Sequence, residues 1–72
     1  MSTMQQTIEK NVRKKIRELR KSGVSAMAVG NLFQVTPTPP AGMATNVTAR
    51  GYRQMFGEIA SAVGKEMGFP IY

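Results

Sequence analysis

Apolar residues recur at a helical period in the first part of the chain. They are spaced four, four, four and three residues apart: Met4, Ile8, Val12, Ile16 and Leu19. At 100° per residue they occupy one sector about 120° wide, which predicts an amphipathic helix over residues 4–21. Thr3 or Thr7 is a suitable N-cap, and Ser22 followed by Gly23 is a good C-terminal stop.

A second, shorter helix is predicted over residues 25–34. Ser25 is a natural N-cap for it. Apolar and small residues would face inward from this helix: Met27, Ala28, Leu32 and either Val29 or Phe33. Gly30 weakens the helix by about 1 kcal/mol relative to alanine. An alternative makes residues 32–36 a short strand, which would need a partner from another subunit because no second strand of comparable quality is present.

The best-defined apolar pattern predicts a third helix over residues 46–67. Its apolar positions fall within about 120° of one another on the helical wheel: Tyr52, Met55, Phe56, Ile59, Val63 and Met67. Asn46 or Thr48 can serve as its N-cap. Gly68 ends it, because glycine takes the left-handed conformation and a proline follows two residues later. The C-terminal segment, residues 69–72, is apolar enough to pack against an apolar surface.

Residues 36–45 form a proline-rich connection between the second and third helices. Pro39 and Pro40 each push the preceding residue away from helical angles, and Gly42 follows closely. We expect an extended, partly polyproline-like segment here. The pattern as a whole predicts one all-α domain over residues 1–72, with three helices and this connection.

The short chain and its restricted composition exclude most catalytic chemistry. Among 72 residues there is no cysteine, histidine or aspartate, and the four carboxylates are all glutamates. Without imidazole or thiolate groups, the usual general bases, nucleophiles and transition-metal ligands are missing. We therefore expect a protein that is not an enzyme and has no metal and no cofactor.

Length also bears on assembly and location. A chain of 72 residues buries only a modest fraction of its surface, so we expect a homodimer that adds buried area. No stretch approaches the ~20 apolar residues of a membrane-spanning helix, and the N-terminus lacks an apolar signal core. The expected location is the cytoplasm, with no membrane partner.

The net charge of +6 is concentrated on the first predicted helix. Residues 9–21 hold seven bases and two acids. Six of these bases share the side opposite the apolar stripe: Lys10, Arg13, Lys14, Arg17, Arg20 and Lys21. A basic ridge of this kind suits double-stranded DNA or an acidic protein surface, and we expect its members to contact phosphates. No aromatic residue is interleaved with them, which disfavours base-stacking on single strands.

The segment from Leu19 to Thr36 resembles the helix-turn-helix unit of small bacterial and phage DNA-binding proteins, including resolvase- and transposase-type domains. The matching residues are Gly23, Val24, Ser25, the pair Val29 and Gly30, then Phe33, Val35 and Thr36. The resemblance implies a first helix from Ser25 and a recognition helix from about Thr36. This chain departs from the family pattern at Gln34, where a glycine is usual, and at Pro39 and Pro40, which disrupt the recognition helix.

Two arrangements would allow the protein to contact base edges despite these prolines. Either the recognition element is short, or its role passes to the N-terminal end of the third helix, where Asn46 and Thr48 would also point toward the groove. In this interpretation the candidates for contact with base edges are Thr36, Thr38, Arg50 and Arg53.

Small residues form a strip on the third predicted helix: Gly57, Ala60, Ser61 and Gly64. A glycine inside a helix lowers the stability of the helix by about 1 kcal/mol relative to alanine, so two glycines in one strip need an explanation. Three explanations stay open. The strip admits close packing of the first helix, forms a dimer seam, or provides a docking groove for a foreign protein.

Two functional hypotheses follow from the sequence. The first is a small DNA-binding regulator of transcription or recombination, of phage or mobile-element type. The alternative is a non-enzymatic protein-binding module, an inhibitor or adaptor that docks on a larger acidic host protein.

Overall fold

The computed structural model describes residues 3–37 and 49–72, and they form three helices. Helix α1 spans Met4–Lys21, α2 spans Val29–Val35 and α3 spans Ala49–Met67. Within these two ranges the only β-structure is one isolated bridge. The predicted all-α architecture is confirmed. Residues 38–45 of the predicted connection lie outside the described residues, as do Asn46 and Thr48, the candidate caps of the third helix.

Helix α1 has the predicted bounds, and both of its ends are capped. The Thr3 hydroxyl accepts from the Gln6 amide at 3.1 Å, and the Gln6 side chain accepts from the Thr3 amide at 3.0 Å. This reciprocal capping box satisfies two N-terminal donors. At the other end Gly23 has φ +88°, and the Val24 amide donates to the Leu19 carbonyl at 2.9 Å. The predicted stop therefore forms a Schellman turn.

Helix α3 ends in a second Schellman turn, which directs the C-terminal segment 69–72 back onto the protein. Gly68 has φ +70° and donates its amide to the Lys65 carbonyl at 3.3 Å. The Phe69 amide donates to the Gly64 carbonyl at 2.8 Å. This geometry places the Phe69 side chain in the core, where it is 1% exposed. The predicted stop and the predicted packing of the segment are confirmed.

The C-terminal segment pairs with the chain that precedes α2. The Met27 amide donates to the Pro70 carbonyl at 3.1 Å, and the Tyr72 amide donates to the Met27 carbonyl at 3.2 Å. The Val29 amide donates to the Tyr72 carbonyl at 2.7 Å. These bonds make a short parallel bridge between Met27 and Ile71. Residues distant in the sequence are thereby joined through their backbones.

This pairing explains why the predicted start of the second helix was wrong. The helix begins at Val29 rather than Ser25, and its N-cap, Ala28, makes no side-chain capping bond. The backbone of Met27 is engaged by the C-terminal segment, so it cannot take part in a helical turn. The strand alternative for residues 32–36 is also wrong, because α2 is helical through Val35.

The core forms where the apolar faces of the three helices meet the C-terminal segment. Its buried apolar residues are Ile8, Val12 and Ile16 from α1, Leu32 from α2, Phe56, Ala60 and Val63 from α3, and Phe69. The remaining apolar residues predicted for the faces of the first and third helices pack against this cluster. The periodicity of those two helices therefore identified the correct faces.

The small-residue strip on α3 is covered mainly from within the chain. A Cβ added at Gly64 would lie 2.5 Å from the Phe69 carbonyl oxygen and 2.8 Å from Ile71 Cδ1. A Cβ at Gly57 would meet only Val29 Cγ2, at 3.8 Å. Ala60 is buried and Ser61 is exposed. The nearest neighbours of the two glycines thus come from α2 and the C-terminal segment, which the three explanations drawn from the sequence did not include.

We predict opposite effects of alanine at the two glycines of α3. Gly64→Ala lowers the free energy of unfolding by about 2 kcal/mol, because the Phe69 carbonyl and Ile71 must move. Gly57→Ala leaves it unchanged or raises it by up to about 1 kcal/mol, since alanine is the better helix former and has room. Urea denaturation followed by circular dichroism measures both values. Equal effects at the two positions would contradict the close contact at Gly64.

Candidate nucleic-acid interface

The six bases of the predicted ridge divide into two groups. Two of them, Arg13 and Arg20, form bonds to the C-terminal turn of α3. The other four make no hydrogen bond or ion pair with any residue that the structure describes, and they are exposed: Lys10, Lys14, Arg17 and Lys21. The division separates bases that hold the fold together from bases that face solvent.

Arg13 links α1 to α3. Its Nη2 lies 2.7 Å from a carboxylate oxygen of Glu66 and 2.8 Å from one of Glu9. The hydrogen bonds that Arg13 donates to Glu66, and then those to Glu9, raise the pKa of Arg13 above its usual value. Its side chain is 29% exposed, the least of the three partners. Arg13 is therefore oriented by two carboxylates, and its charge is compensated within the fold.

Arg20 caps the end of α3. Its guanidinium donates to the carbonyl of Met67, the last residue of that helix. Carbonyls in the final turn of a helix lack intrahelical donors, and the helix dipole favours positive charge there. Arg20 thus stabilises the point at which α3 stops and the C-terminal segment begins.

The four remaining bases lie on one line along α1, which we call the basic strip. Their spacing of four, three and four residues keeps Lys10, Lys14, Arg17 and Lys21 within about 60° of one another on the helical wheel. At a rise of 1.5 Å per residue the strip is ~16 Å long. It is the most concentrated set of unpaired charges on the described surface.

A shallow concavity borders each side of the basic strip. One has a volume of about 380 Å³ and is lined by Gln6, Glu9, Lys10, Arg13 and Arg17. The other has about 130 Å³ and is lined by Asn11, Lys14, Lys15, Glu18, Val35 and Pro37. Each contains one acid, and each acid is in an ion pair: Glu9 with Arg13, which also pairs with Glu66, and Glu18 with Lys15 at 3.4 Å. No bare carboxylate of α1 therefore borders the strip.

The structure does not gather the candidate base-contact residues into one surface. Thr36 is 6% exposed, and its hydroxyl donates to the Leu32 carbonyl. Thr38 lies outside the described residues. Arg50 is exposed in the first turn of α3, whereas the guanidinium carbon of Arg53 lies 5.2 Å from the Phe33 ring centroid.

The segment that resembles a helix-turn-helix unit differs locally from the expected geometry. Its first helix begins four residues late, at Val29, and Gln34, the expected turn residue, lies inside it. Thr36 is extended, with φ −97° and ψ 136°. Gly23 does have the positive φ expected of a turn. A recognition helix directly after Thr36 would start beyond Pro37, outside the described ranges.

An aromatic cluster and an adjoining groove were not predicted from the sequence. Phe33 packs edge-to-face on Phe56, with ring centroids 5.0 Å apart, and on Tyr52 at 5.6 Å. Partial burial raises the pKa of Tyr52. The groove beside them, between α2 and α3, has a volume of about 320 Å³. The spacing of Tyr52 and Phe56 indicated only that these two rings share one face of α3. It did not indicate that the Phe33 ring would pack against them.

Residues 3–37 and 49–72 contain neither a membrane-spanning helix nor a cluster of metal-binding side chains. No helix there is both long enough and apolar enough to cross a membrane. No group of three or more potential metal-binding side chains lies together in those ranges.

We predict that two neighbouring arginines of α1 differ in their effect on stability. Arg20→Ala lowers the free energy of unfolding by about 1 kcal/mol, because it removes a charged donor from the α3 terminus. Arg17→Ala, the matched control, changes it by less than about 0.5 kcal/mol. For a domain of this size 1 kcal/mol corresponds to about 4–8 °C in Tm, which thermal denaturation resolves. Equal shifts in Tm would contradict the division of the ridge.

No protein-family model, curated protein or solved structure matches this chain significantly.

Proposed function

We propose that this protein binds double-stranded DNA through the phosphate backbone, with the basic strip as its contact surface. The observation that carries the proposal is the strip itself. Lys10, Lys14, Arg17 and Lys21 are exposed, aligned and without a partner among the described residues, while the acids beside them are paired. Such a line of uncompensated charge attracts a polyanion and releases its counterions.

The dimensions of the strip agree with a duplex. B-DNA carries about one charge per 3.4 Å of its axis on each strand, so a duplex segment as long as the strip, ~16 Å, has about five phosphates on each strand. The four bases of the strip therefore do not outnumber the phosphates of a single strand over that length. Counterion release from four contacts gives a slope of about −3.6 in a plot of log K against log salt concentration.

The proposed contacts position the protein but do not read sequence. Bonds to phosphates carry no direct sequence information. Thr36 is buried, and Arg53 lines the groove between α2 and α3, so neither residue belongs to the basic strip. We therefore propose binding with weak sequence selectivity. Site-specific regulation of transcription or recombination would require further contacts, from Arg50 or from residues beyond Pro37.

Two other expectations stay predictions. They are homodimer formation and a cytoplasmic location. Docking on another protein is a second candidate function. It is favoured by the apolar groove between α2 and α3, which shares no residue with the basic strip.

We predict a different salt dependence for two charge-reversed variants. Fluorescence anisotropy with a short mixed-sequence duplex measures Kd between about 50 and 200 mM salt. Lys14→Glu makes the negative slope shallower by about one and weakens binding about tenfold at low salt, because a phosphate contact is lost. Lys65→Glu, the matched control, introduces the same charge change at an exposed position of α3 and leaves the slope unchanged.

Two results would contradict the proposal. One is the absence of measurable duplex binding at low salt. The other is an equal loss of affinity in the two variants, which would mean that net charge, rather than the strip, attracts DNA.

A further inference from the structure

The groove between α2 and α3 combines an apolar lining with a single cation. It is lined by Val29, Gly30, Phe33, Gln34, Arg53, Phe56 and Gly57. Added Cβ atoms at its glycines would meet nothing within 4 Å at Gly30 and only Val29 Cγ2 at Gly57. The described side chains therefore leave the groove open to a side chain from outside.

Arg53 is held at this groove by an aromatic ring and not by an acid. Its guanidinium carbon lies 5.2 Å from the Phe33 centroid, a cation–π arrangement. Three of the four glutamates of the chain are in ion pairs elsewhere. The fourth, Glu58, lies about 140° from Arg53 around α3, since five residues separate them. The hydrogen-bond donors of an oriented guanidinium are thus unpaired among the described residues.

We infer that this groove binds an acidic segment of another protein. A large apolar side chain of the segment enters the groove, and a neighbouring carboxylate pairs with Arg53. A guanidinium donates two parallel hydrogen bonds to a carboxylate, and the contact of Arg53 with Phe33 limits the side-chain freedom lost on binding. The net charge of +6 favours an acidic partner as well.

Two other occupants fit less well. A second copy of this chain related by a twofold axis would place both Arg53 side chains in one interface and add another +6 of charge. A single-stranded nucleic acid needs a free aromatic face for base stacking. Here Phe33 contacts two other rings at its edges and faces and also lies beneath Arg53.

The test is an NMR titration of ¹⁵N-labelled full-length protein with two blocked peptides. The acidic probe has the sequence LFEE, and the matched neutral probe has LFQQ. With the acidic probe we expect resonances of Gly30, Gln34 and Gly57 to shift, with affinity about tenfold higher than for the neutral probe.

Three variants locate the binding. Arg53→Gln lowers the affinity for LFEE about tenfold, to that of LFQQ, because the paired cation is gone. Arg50→Gln, the matched control on the same helix, leaves it unchanged. Gly57→Leu fills the groove and abolishes binding of both probes, while the unaltered spectrum of its α1 residues reports that the fold is intact.

The inference is overturned if the acidic probe shifts only resonances of the basic strip, or if both probes bind equally. It is also overturned if Arg53→Gln changes the salt slope of duplex binding, since Arg53 would then belong to a DNA surface. The strip variant Lys14→Glu is expected to bind LFEE normally, so failure of the DNA proposal and failure of this one are distinguishable.

Discussion

The turn that ends α3 is the interaction on which the rest of the structure depends. Gly68 reverses the chain, Phe69 enters the core, and the backbone of the C-terminal segment pairs with Met27 and Val29. Gly64 permits this return, because a side chain there would collide with the Phe69 carbonyl. A small protein without disulfides has few ways to add buried area, and folding a terminus back into the core is one of them.

The same turn determines which bases are available for function. Arg13 and Arg20 of α1 bond to Glu66 and Met67 at the end of α3. They hold the first and last helices together, so the basic ridge is reduced to the strip of four. The turn also sets the start of α2 through Val29, which lines the groove between α2 and α3. Both proposed binding surfaces are thus consequences of one packing arrangement.

Features that depend on local sequence could be predicted, and those that depend on distant residues could not. The period of apolar residues and the glycines after α1 and α3 are local, and they gave these helices and their stops correctly. Ser25 is also a suitable N-cap by local sequence. The helix does not begin there, because the backbones of Met27 and Val29 pair with residues 70–72. Arg13 and Glu66 are 53 positions apart in the sequence. A helical wheel of α1 alone cannot show this contact, so it grouped Arg13 with the unpaired bases. The aromatic cluster likewise joins α2 to α3, which no single periodicity reveals.

Native-state hydrogen exchange tests the central claim most directly, because it measures the C-terminal pairing amide by amide. The amides of Met27 and Val29 donate to the carbonyls of Pro70 and Tyr72, outside any helix interior. If the turn after α3 supports the whole fold, these two amides exchange with a free energy within about 1 kcal/mol of the buried α3 amide of Val63. Exchange of Met27 and Val29 at the rate of an unstructured peptide, with Val63 still protected, would contradict the account.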